Sequence, residues 1–125
     1  MRRRFPHLLV LLLPYLLYGF GVFLNVLVIT ANGGYMPVHD SPIVKTHLDD
    51  PIVPGEVIDE VHRVMKHSDN LKFLADWIQI PRESVMSPGD LFLLLGDSLI
   101  FPGFVVWLVL LYKDHNQENH GRYTF

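Results

Sequence analysis

The chain has 125 residues, 50% of them hydrophobic and 18% charged, no cysteine, a formal net charge of −3 and a mean hydropathy of +0.26. One domain is the upper limit at this length, a disulfide-stapled fold is excluded, and the acidic balance gives no reason to expect nucleic acid. So apolar a chain has too little interior to hide its side chains from water, which makes a lipid bilayer the natural alternative solvent.

The apolar residues are concentrated in two runs. From Phe5 to His39 there is no Asp, Glu, Lys or Arg, and from Leu91 to Tyr112 only Asp97 breaks the run. Residues 8–31 would make a helix of about 36 Å and residues 91–112 one of about 33 Å, both longer than the hydrocarbon core of a bilayer. Arg2, Arg3 and Arg4 before a leucine-rich run are also how a secretory signal peptide begins. However, the run continues past Pro14 and ends Ile29-Thr30-Ala31, with a bulky residue three back from any cut, so it reads as a retained span.

Residues 1–7 are a basic N-terminus. The segment 32–90 carries five basic against ten acidic residues, and 113–125 is a polar tail of balanced charge for which disorder is the default. The positive-inside rule then places both termini in the cytoplasm and the acidic middle segment outside. Tyr35 and Tyr112 stand where interface anchors would be.

Within the middle segment, Pro37, Pro42, Pro51 and Pro54 predict an extended, turn-rich stretch. Val57, Ile58, Val61, Val64 and Met65 then recur at helical spacing, predicting an amphipathic helix over 56–67. Ser68-Asp69-Asn70 offers a cap for a second short helix over 70–78, ended by Pro81. Ser87-Pro88-Gly89-Asp90 is a helix start in which serine caps and the acid closes a box. The fold class is therefore an all-α membrane protein: an antiparallel two-helix transmembrane hairpin with a small helical extramembrane cap.

Polar and small residues inside lipid usually face protein. Tyr18, Asn25 and Asn32 are seven apart, as are Asp90 and Asp97, with Gly89, Gly96 and Gly103 at the same interval. Seven residues is two turns, so each set lies on one face. Antiparallel helices then predict an intramembrane Asn25 and Asp97 pair, an Asn32 and Asp90 contact at the outer edge, and close backbone approach at the glycines. An acid at Asp97 costs about 2.5–3.5 kcal/mol on insertion scales and calls for such a partner.

The stretch Asn25 to Val38 with its Asn32-Gly33-Gly34-Tyr35-Met36-Pro37-Val38, then Leu74-Ala75-Asp76-Trp77-Ile78-Gln79-Ile80-Pro81, then Ser87-Pro88-Gly89-Asp90, resembles a bacterial integral-membrane family of unknown function. Its members carry Asn-Gly-Gly-x-Met-Pro-Val at the end of a span and Ser-x-Gly-Asp at the start of the last one. The resemblance covers roughly residues 20 to 105. Such members carry further spans before the Asn-Gly-Gly motif, and this chain reads as a two-span version. The resemblance implies that Asn32, Gly33, Gly34, Met36, Pro37, Asp76, Ser87, Gly89 and Asp90 act as one constellation. Glycines at positive φ can aim N–H groups at an anion, and Asp90 or Asp76 is the expected anion, locking the turn onto the next helix; a ligand carboxylate or phosphate is the alternative.

His39, Asp40, His47, Asp49, Asp50, His62 and His67 raise a metal hypothesis, but none has HExxH spacing, and no metal is assigned. No Gly-x-Ser-x-Gly, P-loop or dinucleotide fingerprint occurs, so no catalytic residue or cofactor is assigned either. The expectation is a non-enzymatic accessory or scaffold protein of the bacterial inner membrane. Its partners are the lipid bilayer and a second copy or another membrane protein. The alternative is an oligomeric transport or pore-forming protein, of which a phage-type lysis protein is one version, with Asp97 lining the path.

Overall fold

A computed structural model of the chain describes residues 5–40, 53–81 and 84–122, with side chains from residue 7 to 117. The element order is α1 (Phe5–Ala31), β1 (Met36–Val38), β2 (His62–Val64), a 3-10 turn (Lys72–Leu74), β3 (Ile78–Ile80), β4 (Ser84–Met86) and α2 (Pro88–Arg122). Within the helices, His7–Ala31 and Pro88–Gln117 are each long and apolar enough to cross a membrane, and only 17% and 6% of their most apolar stretches are buried. Arg2 to Arg4, His47, Asp49, Asp50 and most of the proline-punctuated stretch lie outside the described residues.

Two compact units divide the chain, Met1–Tyr18 with Leu94–Phe125, and Gly19–Leu93. In the first, α1 covers His7, Val10, Pro14 and Leu17, while α2 covers Gly96, Ile100, Gly103, Trp107, Leu110 and Asp114. These positions alternate by three and four residues, the spacing at which two helices mesh along a seam. A β-carbon on Gly96 would fall 2.6 Å from Tyr18 N and 2.7 Å from Pro14 O, so the two backbones touch there. Gly103 faces Val10 O and the Pro14 ring. Pro14 is buried, its carbonyl against Gly96 and its ring against Gly103. His7 Nδ1 lies 3.6 Å from Asp114 Oδ2 in this unit.

In the second unit the same spacing continues through Gly21, Leu24 and Val28 on α1 and through Gly89 and Leu93 on α2. Phe20 meets Phe92 edge to face at 4.9 Å. α1 stops at Asn32-Gly33-Gly34 because Gly33 (φ 70) and Gly34 (φ 95) adopt the left-handed region that turns the chain away. Gly34 N–H then returns to Ile29 O at 2.9 Å, the six-to-one bond of a Schellman stop.

The chain leaves this stop as β1, whose three residues are all buried. β1 is the centre of the small sheet: β2 pairs with it in parallel, Met36 opposite His62 and Val38 opposite Val64. On its other side Asp76 makes a parallel bridge with Val38. Pro37 offers only a carbonyl, and Asp76 N–H uses it at 3.0 Å. Val28, Met36 and Ala75 form one apolar cluster with Ile29, Met65, Leu71 and Leu74 against it; Val38 and Val64 form another with Ile58 and Val85.

Three expectations are corrected. Residues 56–67 are not an amphipathic helix: Val57 bridges Arg63 in antiparallel fashion and the segment folds back on itself. Gly55 at φ 87 opens this fold, and the Asp59 carboxylate closes its tip by accepting from Val61 N–H and His62 N–H, both at 2.9 Å. Turn chemistry and β-branched valines thus prevail over an apolar spacing that a helix and a short hairpin share. Within residues 70–78 the helical part is only the 3-10 turn Lys72–Leu74, and Ile78 already opens β3, which pairs antiparallel with β4, Ser84–Met86. The cap is therefore not purely helical. The polar tail, finally, continues α2 to Arg122, because extending an existing helix costs far less than nucleating one.

Candidate polar sites of the sheet-bearing unit

The first site is a closed network at the start of α2. Asn25 Nδ2 donates to Asp90 Oδ1 at 2.7 Å, and Ser87 Oγ donates to Asn25 Oδ1 at 2.8 Å. Ser87 and Asp90 complete a capping box, Asp90 N–H giving to Ser87 Oγ and Ser87 N–H to Asp90 Oδ2, each at 3.0 Å. Ser87 is fully buried. Gly89 lies directly against the Asn25 carboxamide and Gly21 O, so any side chain there would occupy the amide's place.

This differs from the expected pairing by one seven-residue step. Asn25 is held by Asp90 and Ser87 rather than by Asp97, and Asp97 is exposed on α2. Asn32 does not meet Asp90. Its carboxamide donates to Asn70 O and Val28 O and accepts from Asn70 N–H, each at 2.9 Å, while Asn70 Nδ2 answers to Ala31 O at 3.1 Å. The reason is that Leu71, Leu74 and Ala75 pack on Val28 and Ile29, so the last turn of α1 is covered by the chain after β2, and α2 begins a turn or two deeper.

Among the described residues no carboxylate accepts a hydrogen bond from the Asn-Gly-Gly turn either. Gly34 N–H is spent on the helix stop, and Asp90 takes its donors from Asn25 and Ser87. Met36 and Pro37 are buried strand residues.

Asp76 anchors the second site. Its backbone completes the sheet, His39 N–H donating to Asp76 O at 2.7 Å, and its side chain is only 6% exposed. Oδ2 lies 3.7 Å from His62 Nε2, while the buried Oδ1 has no hydrogen-bond partner among the described residues. On its other edge His62 Nδ1 meets both Asp59 oxygens, at 2.9 and 2.8 Å. Burial pushes the Asp76 carboxyl up to about 7, helped by the negative charge of Asp90 and, less, of Asp59, and opposed by His62. Asp59 is held below the usual carboxylate range, chiefly by the Val61 N–H and also by His62.

Arg63 and Asp69 form a third, structural pair. The guanidinium grips the carboxylate in bidentate fashion at 2.9 and 2.6 Å, both residues are buried, and Lys66 N–H adds a bond at 2.6 Å. Burial works against ionisation of Asp69, but the bonds from Arg63 and Lys66 outweigh it and keep its carboxyl below its ordinary value. Sequence reasoning missed this pair and the His62 site. The signal for both was the Asp59-to-His62 turn, which sets Arg63 and His62 on opposite faces of one strand. Among the described residues no group of three His, Cys, Asp or Glu is arranged to hold a metal ion.

Residues 12–102 match a family of unknown function, DUF5317. No curated protein and no solved structure matches the chain.

Proposed function

The chain belongs to DUF5317, a family of unknown function, and from that premise we propose that it is a non-enzymatic integral membrane protein acting as an accessory or scaffold. The observation that carries this reading is the outward apolar surface of α1 and α2. Leucines, valines and phenylalanines along both are exposed, Leu16 by 61%, Phe23 by 58% and Phe101 by 76%, and such a surface needs lipid or another apolar helix against it. The Asn25, Ser87 and Asp90 network supports the scaffold reading, because its groups satisfy one another. In this reading the membrane is the bacterial inner membrane, both termini are cytoplasmic and residues 32–90 face outward, as the arginines at one end and the acidic middle segment favour.

A second reading rests on Asp97. An exposed carboxylate on an apolar helix face calls for water or a partner group in the membrane, which an oligomer lined by Asp97 would supply. The chain has no cysteine, so single cysteines report topology cleanly. Glu60→Cys is expected to react with an impermeant maleimide in intact cells and Gln117→Cys only after permeabilisation; the reverse pattern overturns the orientation. Mass measurement and identification of co-purifying proteins in mild detergent then test the scaffold. Ion leakage from proteoliposomes that Asp97→Asn changes would favour the pore.

A further inference from the structure

We propose that His62 and Asp76 are a proton-binding site, holding one exchangeable proton between the imidazole Nε2 and the buried Asp76 carboxyl, with Asp59 fixing the imidazole from its far side. The geometry dictates where each proton lies. Nδ1 is within hydrogen-bond distance of both oxygens of a carboxylate that already accepts from two backbone N–H groups. An ionised carboxylate only accepts, so Nδ1 carries hydrogen and Nε2 is the edge left to face Asp76. At 3.7 Å, Nε2 and Oδ2 are an ion-pair distance apart, longer than a hydrogen bond.

With one proton on the pair, two arrangements have the same total charge: neutral imidazole beside a protonated carboxyl, or imidazolium beside a carboxylate. Counting Asp59, each sums to minus one. Loss of the proton leaves Asp59 and Asp76 both ionised around a neutral ring, a total of minus two. The new charge then falls on a carboxyl that is 6% exposed and whose Oδ1 meets no donor among the described residues. The charged groups acting on it are His62 on β2, Asp59 in the preceding turn and Asp90 at the start of α2, so two of the three oppose ionisation. The guanidinium next to His62 on β2, that of Arg63, is spent on Asp69. Among the described residues no cation other than His62 acts on the second negative charge, and the site retains its proton.

Proton release also has a structural consequence. Asp76 gives its N–H to Pro37 O and takes His39 N–H on its carbonyl, so the titrating residue is itself one edge of the sheet. An unsolvated carboxylate there is relieved by moving toward water, which pulls on those two bonds. The exchange of the Asp76 and His39 amide hydrogens is the local readout.

The test uses the full chain in detergent micelles or nanodiscs, with carbon-13 in the aspartate carboxyls and nitrogen-15 in the imidazoles. Asp76 is assigned by the signal lost in Asp76→Asn. The expected result is a titration of the Asp76 carboxyl with a midpoint near 7, and a His62 ring signal that shifts over the same pH range. Asp59→Asn, which removes a surface charge while leaving a side-chain oxygen to accept from the Val61 and His62 N–H groups, moves that midpoint down. Faster exchange of the Asp76 and His39 amides above the midpoint than base catalysis accounts for completes the result. An Asp76 carboxyl that titrates below about pH 5 overturns the proposal. So does a midpoint that Asp59→Asn leaves in place.

Discussion

Asn25 Nδ2 donates to Asp90 Oδ1 at 2.7 Å across 65 residues of chain, and Ser87 closes the triangle from the other side of the same amide. The bond joins the middle of α1 to the first turn of α2, so it fixes where the second helix starts against the first. Replacing Asn25 by leucine removes a donor from the Asp90 carboxyl and an acceptor from the buried Ser87 hydroxyl at once. Leaving such groups unsatisfied costs about 1–3 kcal/mol each, more where the group is charged. Asn25→Leu is therefore expected to lose about 2–4 kcal/mol in denaturant titration of the purified protein, while Ser87→Ala, which strips one bond and the cap, loses about 1–2 kcal/mol. Equal stability of Asn25→Leu and the unaltered chain would remove the lock.

The glycines divide by what faces them. Gly96 lies against backbone, Tyr18 N and Pro14 O, which cannot rotate aside, whereas Gly19 has nothing within 4 Å of a built β-carbon. Gly96→Ala must push the helices apart and is expected to destabilise by about 1–3 kcal/mol. Gly19→Ala only improves the helix, by roughly 0.5–1 kcal/mol. Thermal unfolding of the two variants side by side separates close packing from a general intolerance of change in the helices.

The helices were legible in the sequence because uninterrupted apolar runs have one interpretation at this length, and the glycine interval was legible because it survives any choice of register. The register itself was not. Asn25 matches Asp97 in depth only if α2 begins level with Asn32, and that level is taken by Leu71, Leu74 and Ala75 packed on Val28 and Ile29, a long-range contact with no local signature. The sheet was misread for a related reason. Val57, Ile58, Val61 and Val64 suit a helical stripe by spacing, but their branching, the left-handed Gly55 and the Asp59 turn favour folding back. The His62 and Asp76 site follows from that fold alone, since it brings together residues from β2 and the far edge of β1.

Asp97 separates the register seen here from its seven-residue alternative. It is exposed on α2, and the network around Asn25 does not use it. Asp97→Leu is expected to leave the fold intact and to insert into membranes at least as well as the unaltered chain, since a leucine at a span centre replaces a charge that costs about 2.5–3.5 kcal/mol. Its unfolding midpoint should match or exceed that of the unaltered chain. A collapse comparable to that of Asn25→Leu would show that the carboxylate is needed inside the fold.

Two buried aspartates should shape stability against pH in opposite senses. Asp69, held by Arg63 and Lys66, has its carboxyl lowered from 3.8, so the stability it contributes is present above that value and is lost as pH falls through its folded-state value. Asp76 is raised from 3.8 to about 7. Between those values the folded protein keeps a proton that the unfolded chain has released, so stability falls as pH rises, by at most about 1.4 kcal/mol per pH unit, and levels off once the folded group ionises. Together they predict a maximum in the mildly acidic range and a decline toward neutrality. Asp76→Asn is expected to abolish the decline, so that it is no more stable than the unaltered chain at pH 4.5 but clearly more stable at pH 8. Arg63→Met, which strands the Asp69 carboxylate, should cost about 3–5 kcal/mol and keep the decline toward neutrality. Denaturant titrations of the three proteins across pH 4 to 8 decide it, and a decline that persists in Asp76→Asn would assign the proton to another group.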